Sequence, residues 1–255
     1  MKRVVMFSGG VGSWAAAKRV ALAHGDKDLT LLFCDTKVEH PDTYRFLREG
    51  AENVGGTLVE IADGRTIWEV FRDVKFLGNS RVDPCSRVLK RELADKWLDD
   101  NCDIKDTVVY VGIDWSEVNR YNRLAERKLP WRYEAPLLDK PWMSKSDMHR
   151  WATSQGIRKQ YLYQIGMSHA NCGGGCIKMG QGGFAHLFKK SPETYAEWER
   201  HESEMQEQLG ERGGRPVTIL KDSLSLKDLR ERILNDRQVD LFDVGGCGCF
   251  LDDDD

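Results

Sequence analysis

Within its first thirteen residues the chain sets an apolar run, Val4-Val5-Met6-Phe7, directly against Ser8-Gly9-Gly10-Val11-Gly12-Ser13. A run of that length closed by turn residues predicts a strand at Val4–Phe7. The Ala-rich sequence that follows predicts a helix from Ser13 to His24. Three glycines in four positions let the backbone turn sharply and approach a ligand without Cβ clashes. Exposed amides and the helix dipole favour an anion at that turn, and two serine hydroxyls add donors. Ser8, Gly9, Gly10, Val11, Gly12 and Ser13 are therefore expected to cradle nucleotide phosphate. An ordinary glycine-rich turn is the bland alternative.

No Gly-Lys-Ser/Thr follows the glycines, so the loop is not a Walker A motif. Ser-Gly-Gly-x-x-Ser resembles instead the PP-loop of the ATP pyrophosphatase superfamily. That resemblance implies ATP cleavage between the α and β phosphates, often to adenylate a substrate.

The alternation continues with strands at Leu29–Cys34, Thr57–Ile61 and Thr107–Gly112, separated by helices at Pro41–Val54, Ile67–Phe76 and Ser86–Asp99. This predicts an α/β fold, a parallel sheet with helices on both faces. Beyond about residue 140 the pattern turns helical, with helices at Ser144–Gly156 (capped by Ser144), Ser191–Leu209 (Pro192 in its first turn) and Lys227–Leu234. The expected organisation is a nucleotide-binding domain over residues 1–140 and a smaller, mostly helical, Cys-bearing part over 141–255.

The chain has 255 residues, 38 Lys and Arg against 41 Asp and Glu, and a formal net charge of -3, which gives no global pull toward nucleic acid. The acidic run Asp252 to Asp255 reads as a solvated tail. No stretch nears about 20 apolar residues, so no membrane partner is expected. Met1-Lys2-Arg3 leads straight into the first strand without room for a signal peptide, and a cytoplasmic location is the expectation. In that compartment seven cysteines argue against a disulfide framework. Cys34 and Cys102 sit in or beside apolar runs and read as plain thiols. Cys85, Cys172, Cys176, Cys247 and Cys249 sit in Gly-, Pro- or Arg-containing loops. Four of those five suffice for either zinc or a [4Fe–4S] cluster.

Asp35 closes the second strand, where open sheets bind ligands, and is a candidate for Mg²⁺ or ribose; a turn aspartate is the alternative. Cys85-Ser86-Arg87-Val88-Leu89-Lys90 joins a thiol to two cations at a helix start, which favours thiolate, and Arg87 and Lys90 suit phosphate or sulfate oxygens. Arg120, Asn122 and Arg123 follow the fourth strand as a second candidate lining. Trp68, Trp97, Trp131, Trp142, Trp151 and Trp198 read as packing, with Trp131-Arg132-Tyr133 the one place for a nucleobase contact. A structural role is expected for His169.

Together these segments resemble the phosphoadenosine phosphosulfate (PAPS) reductase family of the PP-loop superfamily, over most of the chain and in order. The matching pieces are the Ser8–Ser13 loop, Phe33-Cys34-Asp35-Thr36 with Glu39, Cys85 to Lys90, and Tyr161 to Gly166 with His169, Asn171 and the Cys172–Cys176 loop. The last resembles the Cys-rich region of iron–sulfur members, among them the PP-loop protein of DNA phosphorothioation. Lys37 stands where glycine is usual, Ser86 replaces the second cysteine of an adjacent pair, and Cys247-Gly248-Cys249-Phe250 replaces a Cys-Gly-Leu/Ile-His tail.

The resemblance implies an adenine nucleotide-like α-hydrolase fold binding ATP and Mg²⁺, with Asp35, Arg87, Lys90 and Arg123 assisting. A cluster on Cys85, Cys172, Cys176 and one of Cys247 or Cys249 would serve sulfur or electron transfer onto an adenylated nucleotide or nucleic acid. A sulfur donor or reductant protein, and assembly as a homo-oligomer or subunit of a complex, accompany that expectation. Two alternatives stand beside it: a sulfonucleotide (APS/PAPS) reductase attacking with Cys247 or Cys249, and a non-catalytic nucleotide-binding subunit stapled by zinc.

Overall fold

The computed structural model describes residues 1–78, 82–212 and 215–245. Its centre is a parallel sheet of β1 (Lys2–Met6), β2 (Leu29–Cys34), β3 (Thr57–Ile61), β4 (Thr107–Tyr110) and β5 (Arg132–Glu134), in the order β3-β2-β1-β4-β5. The expected α/β class is thus present, with one strand more than the pattern revealed. β5 is only Arg-Tyr-Glu, too short for an alternation signal, and it takes its place by pairing Val108 with Arg132 and Tyr110 with Glu134. Tyr133 is buried there, so the segment expected to meet a nucleobase is largely sheet.

Alternate side chains divide the core between the two faces, as the two-residue period of a strand requires. Val5, Phe7, Leu31, Phe33, Val108 and Tyr110 pack on one face under α1 (Val11–His24), α2 (Pro41–Val54) and, much later in the chain, α7 (Lys145–Ser154). Val4, Met6, Leu32, Val109 and Val111 pack on the other against α5 (Leu93–Asn101) and α6 (Val118–Arg127). Ser144 caps α7 in a reciprocal box with Asp147, as its sequence position implies.

A third cluster joins α3 (Ile67–Asp73) to the later helices: α9 (Gln181–Lys190), α10 (Pro192–Leu209) and α11 (Leu226–Leu234). The short α8 (Tyr161–Gln164) contributes Leu162. Packing therefore crosses residue 140 in both directions, with Met148 and Ala152 in the sheet's core and Trp68 and Phe71 in the helical cluster. A minor ribbon pairs β6 (Glu211–Arg212) with β7 (Arg215–Pro216).

The helix expected over Ser86–Asp99 starts earlier and is irregular. It opens as α4 (Pro84–Ser86), widens into a π-helical stretch at Arg87–Glu92 and continues as α5. Leu89, Lys90 and Arg91, three successive residues, are all buried in this stretch, so it shows no single apolar face of the kind a 3.6-residue period reveals. Five of the six tryptophans expected in packing lie in or against these clusters, whereas Trp142 is 57% exposed. The turn at Pro141 that carries it gives it no core face. No described helix is long and apolar enough to cross a membrane.

Candidate functional site

The strand order reverses between β1 and β4, and open α/β sheets bind ligands outside the carboxyl ends of the strands at such a point. β1 delivers the Ser8–Ser13 loop to that point and β4 delivers Gly112 to Glu117. Gly9 takes φ +74° and Gly10 is the extended N-cap of α1, with no side chain to satisfy the amides behind it. The helix has no internal acceptor for the amides of Val11, Gly12 and Ser13. The first pairing is Trp14 N–H to Gly10 carbonyl at 3.1 Å. Ser13 Oγ donates to the Gly10 carbonyl at 2.8 Å and lies 3.4 Å from Ser8 Oγ. Gln160 Nε2 donates to the Gly9 carbonyl at 2.8 Å, pinning the loop from the far side of the chain. A Cβ on Gly112 would stand 2.8 Å from Ser13 N, so the two loops meet backbone to backbone.

They open on a cleft of about 710 Å³, within the size range of small-molecule sites. Ser8, Gly10, Gly12 and Ser13 form one wall, and Asp114, Ser116, Glu117 and Arg120 another. Lys145, Met148, Tyr163, Ser168, His169, Asn171, Lys178 and Gly245 complete it. Arg120 pairs with Glu117, and Lys145 Nζ donates to the Ser168 carbonyl at 3.2 Å. Burial, with Lys145 and Lys90 adding repulsion, lowers His169 to about 4, so the ring is neutral near pH 7. Burial, then Lys159 and Lys145, lowers His149 likewise to about 4, its ring edge-on to Tyr163.

A second cavity, only about 20 Å³, lies behind Lys178, which lines both. Cys85 of α4 meets Cys172 and Cys176 here, together with Thr36, Asp83, Lys90 and Trp198. Gly175 explains how the Cys172–Cys176 loop fits, because a Cβ there would stand 2.2 Å from Trp198 Nε1. Around the thiols runs a buried charge network. Glu39 accepts from Cys172 N–H at 2.7 Å and from Thr36 Oγ1 at 3.1 Å, with Lys90 Nζ 3.9 Å away. Asp83 lies 3.1 Å from Arg91 and 3.7 Å from Lys178. Burial raises Glu39, and Lys90 and the two donors hold that rise in check. Among the described residues, Lys90, Arg91 and Lys178 thus face Glu39 and Asp83 beside the three thiols. Among the described residues no three His, Cys, Asp or Glu side chains are placed to hold a single metal ion.

Cys247 and Cys249 lie outside the described residues. Gly245 forms an antiparallel bridge with Met179, next to Lys178.

The predicted site residues divide as follows. Ser8, Gly10, Gly12 and Ser13 of the phosphate loop line the cleft, Gly9 and Val11 do not, and Lys90 with the three thiols lines the small cavity. Asp35 lines neither. It accepts from Lys37 N–H (2.8 Å), Lys37 Nζ (2.9 Å) and Tyr44 OH (2.7 Å), and these partners outweigh burial to lower its pKa. Arg87 is exposed and pairs with Glu92 at 2.9 Å, and Arg123 is exposed on α6, one turn beyond Arg120. Lys145, Gln160 and Lys178 went unread. Lys178, two residues after Cys176, carried a usable signal; Gln160 acts across 151 residues and carried none.

No family model matches this chain, and no curated protein matches it. Among solved structures it is similar to phosphoadenylyl-sulfate (PAPS) reductase from Candida auris, determined as a phosphate complex. The two share 14% identity at a TM-score of 0.45, over 66% of this chain and 80% of that one.

Proposed function

We propose that this chain is a PP-loop enzyme that binds ATP or a related adenine nucleotide and adenylates an acceptor for sulfur or electron transfer, in nucleotide or nucleic acid modification. The observation that carries the reading is Lys178, one buried ammonium that lines both a phosphate-cradling cleft and a cavity of three loop thiols.

In the adenylation step an acceptor oxygen attacks the α-phosphorus, the bond to the β-phosphate oxygen breaks, and pyrophosphate departs while AMP stays on the acceptor. The amides at the start of α1 and the Ser8 and Ser13 hydroxyls bind phosphate oxygens. Arg120, Lys145 and Lys178 offset charge on the leaving pyrophosphate, acting as positioned groups rather than as acids. His169 lines the same cleft as a neutral ring and adds no charge to it. Asp114 and Glu117 are the carboxylates that line the cleft and so its own candidates for Mg²⁺, Glu117 once Arg120 turns from it to phosphate, whereas Asp35 lines neither cavity.

The thiol cavity suits a metal–sulfur group in its donor chemistry: thiolates are anionic ligands, and Lys90, Arg91 and Lys178 lie beside them to offset that charge. Cys85, Cys172, Cys176 and one of Cys247 or Cys249 would hold a [4Fe–4S] cluster, which when bound supplies electrons or a site for sulfur. Pyrophosphate and AMP release, assayed with nucleotides and oligonucleotides as acceptors, tests the reading. Release that depends on acceptor supports it; sulfite release from APS or PAPS without ATP cleavage replaces it with the reductase alternative.

A further inference from the structure

Six of the eight tryptophans lie in or against the hydrophobic clusters, and two do not. Trp115 and Trp142 are 48% and 57% exposed, and their rings stack on each other with centroids 5.9 Å apart and planes 28° from parallel. Trp142 Nε1 donates to the Leu138 carbonyl at 3.1 Å, which satisfies its polar edge. Lys140 Nζ lies 5.2 Å from its ring. Trp115 sits between Asp114 and Ser116, both lining the cleft, yet neither indole lines it. The pair is a fixed aromatic shelf on the cleft's rim.

We infer that this shelf is a stacking platform for an unpaired segment of nucleic acid whose adjoining nucleotide enters the cleft. Every base has a π face that an indole can hold, at about 1–3 kcal/mol per base. The charge is complementary: residues 114–150 carry eight Lys and Arg against six Asp and Glu, in a chain whose net charge is -3. Arg123, Lys140 and Lys145 have no carboxylate partner among the described residues, which leaves them for phosphates. A mononucleotide bound by its phosphates in the cleft leaves the shelf uncovered, because the indoles stand outside the lining. Two rings are also too little for a dimer interface of the usual size, roughly 800 Å² per partner. The inference rests on the proposed function only in taking the cleft as the reaction site.

Full-length protein is titrated into labelled oligo-dT and oligo-U of roughly 12 nucleotides at low salt, read by anisotropy, with ATP affinity measured separately by calorimetry. Single strands are expected to bind more tightly than a duplex of the same length. Trp142→Ala and Trp115→Ala each weaken that binding about tenfold or more, Trp142→Phe recovers most of it, and ATP affinity stays unchanged. Equal single-strand affinity in wild type and both Ala variants overturns the platform, as does a Trp142→Ala change in oligomeric state without a change in oligonucleotide affinity. Trp-dependent strand binding in a protein that fails to bind ATP supports the platform and removes the adenylation reading instead.

Discussion

The cleft's phosphate wall and the thiol cavity, which meet at Lys178, are made of opposite materials. The wall is mostly backbone: helix-start amides, glycines and hydroxyls along one side of some 710 Å³ of open space. The cavity is mostly side chain: thiols and buried charges around about 20 Å³. Backbone donors belong to the fold and keep their direction when a side chain changes. Buried charges hold only as a set, because each one left unpaired in a dry interior is costly. The phosphate wall therefore tolerates most side-chain changes that leave its backbone in place, and the cavity tolerates few.

The sharpest way to break this contrast is Lys90→Met. It leaves Glu39 among neutral donors only, and the expected cost is about 3–5 kcal/mol in urea unfolding; a loss under about 1 kcal/mol would show that the network is not a unit. Next is Gly112→Ala, which drives a Cβ against Ser13 N. It is expected to destabilise by about 1–3 kcal/mol and to lower ATP affinity while leaving iron content unchanged.

The pH dependence separates the cleft from the helical side of the fold without mutation of the site. His149 and His169 are ordinary at 6.5 and about 4 in the fold, so the unfolded chain takes up their protons first. Their contribution is complete above 6.5 and is lost as pH falls toward 4. Glu202, buried on the helical side under the Ile219 and Leu226 amides, is raised from 4.5 to about 7. Its contribution is complete below 4.5 and is lost as pH rises to 7. Glu202→Gln keeps one of the two acceptor oxygens and sets an amide donor against the other backbone N–H, so it lowers stability at every pH; it is expected to abolish the second loss, seen as a larger gain in urea midpoint between pH 5 and 7 than in wild type. The smallest effect belongs to Arg87→Ala. Its pair with Glu92 is exposed, and a change within about 1 kcal/mol is expected, with nucleotide affinity unaffected.

The same contrast explains what could be read from the sequence. The sheet's first four strands and the phosphate loop are local patterns, a run of β-formers or a glycine turn, and each ends within a residue or two of its expected place. The five loop cysteines stood out by composition, and the fold brings together the three that are described. The π-helical stretch that buries Lys90 and Arg91 has no signature in a 3.6-residue period. The engagement of Asp35 depends on Tyr44 reaching back from α2, and the exposure of Trp142 on what the turn at Pro141 fails to cover. Those are outcomes of packing, and residue identity alone does not announce them.

The most direct test of the account is iron analysis and absorbance near 400 nm on protein purified anaerobically, alongside Cys85→Ser and Cys176→Ser. The account predicts a brown protein with about four irons per chain, the colour and iron lost in both variants while ATP binding persists. A colourless protein carrying one zinc per chain, or one whose iron survives both substitutions, would contradict it.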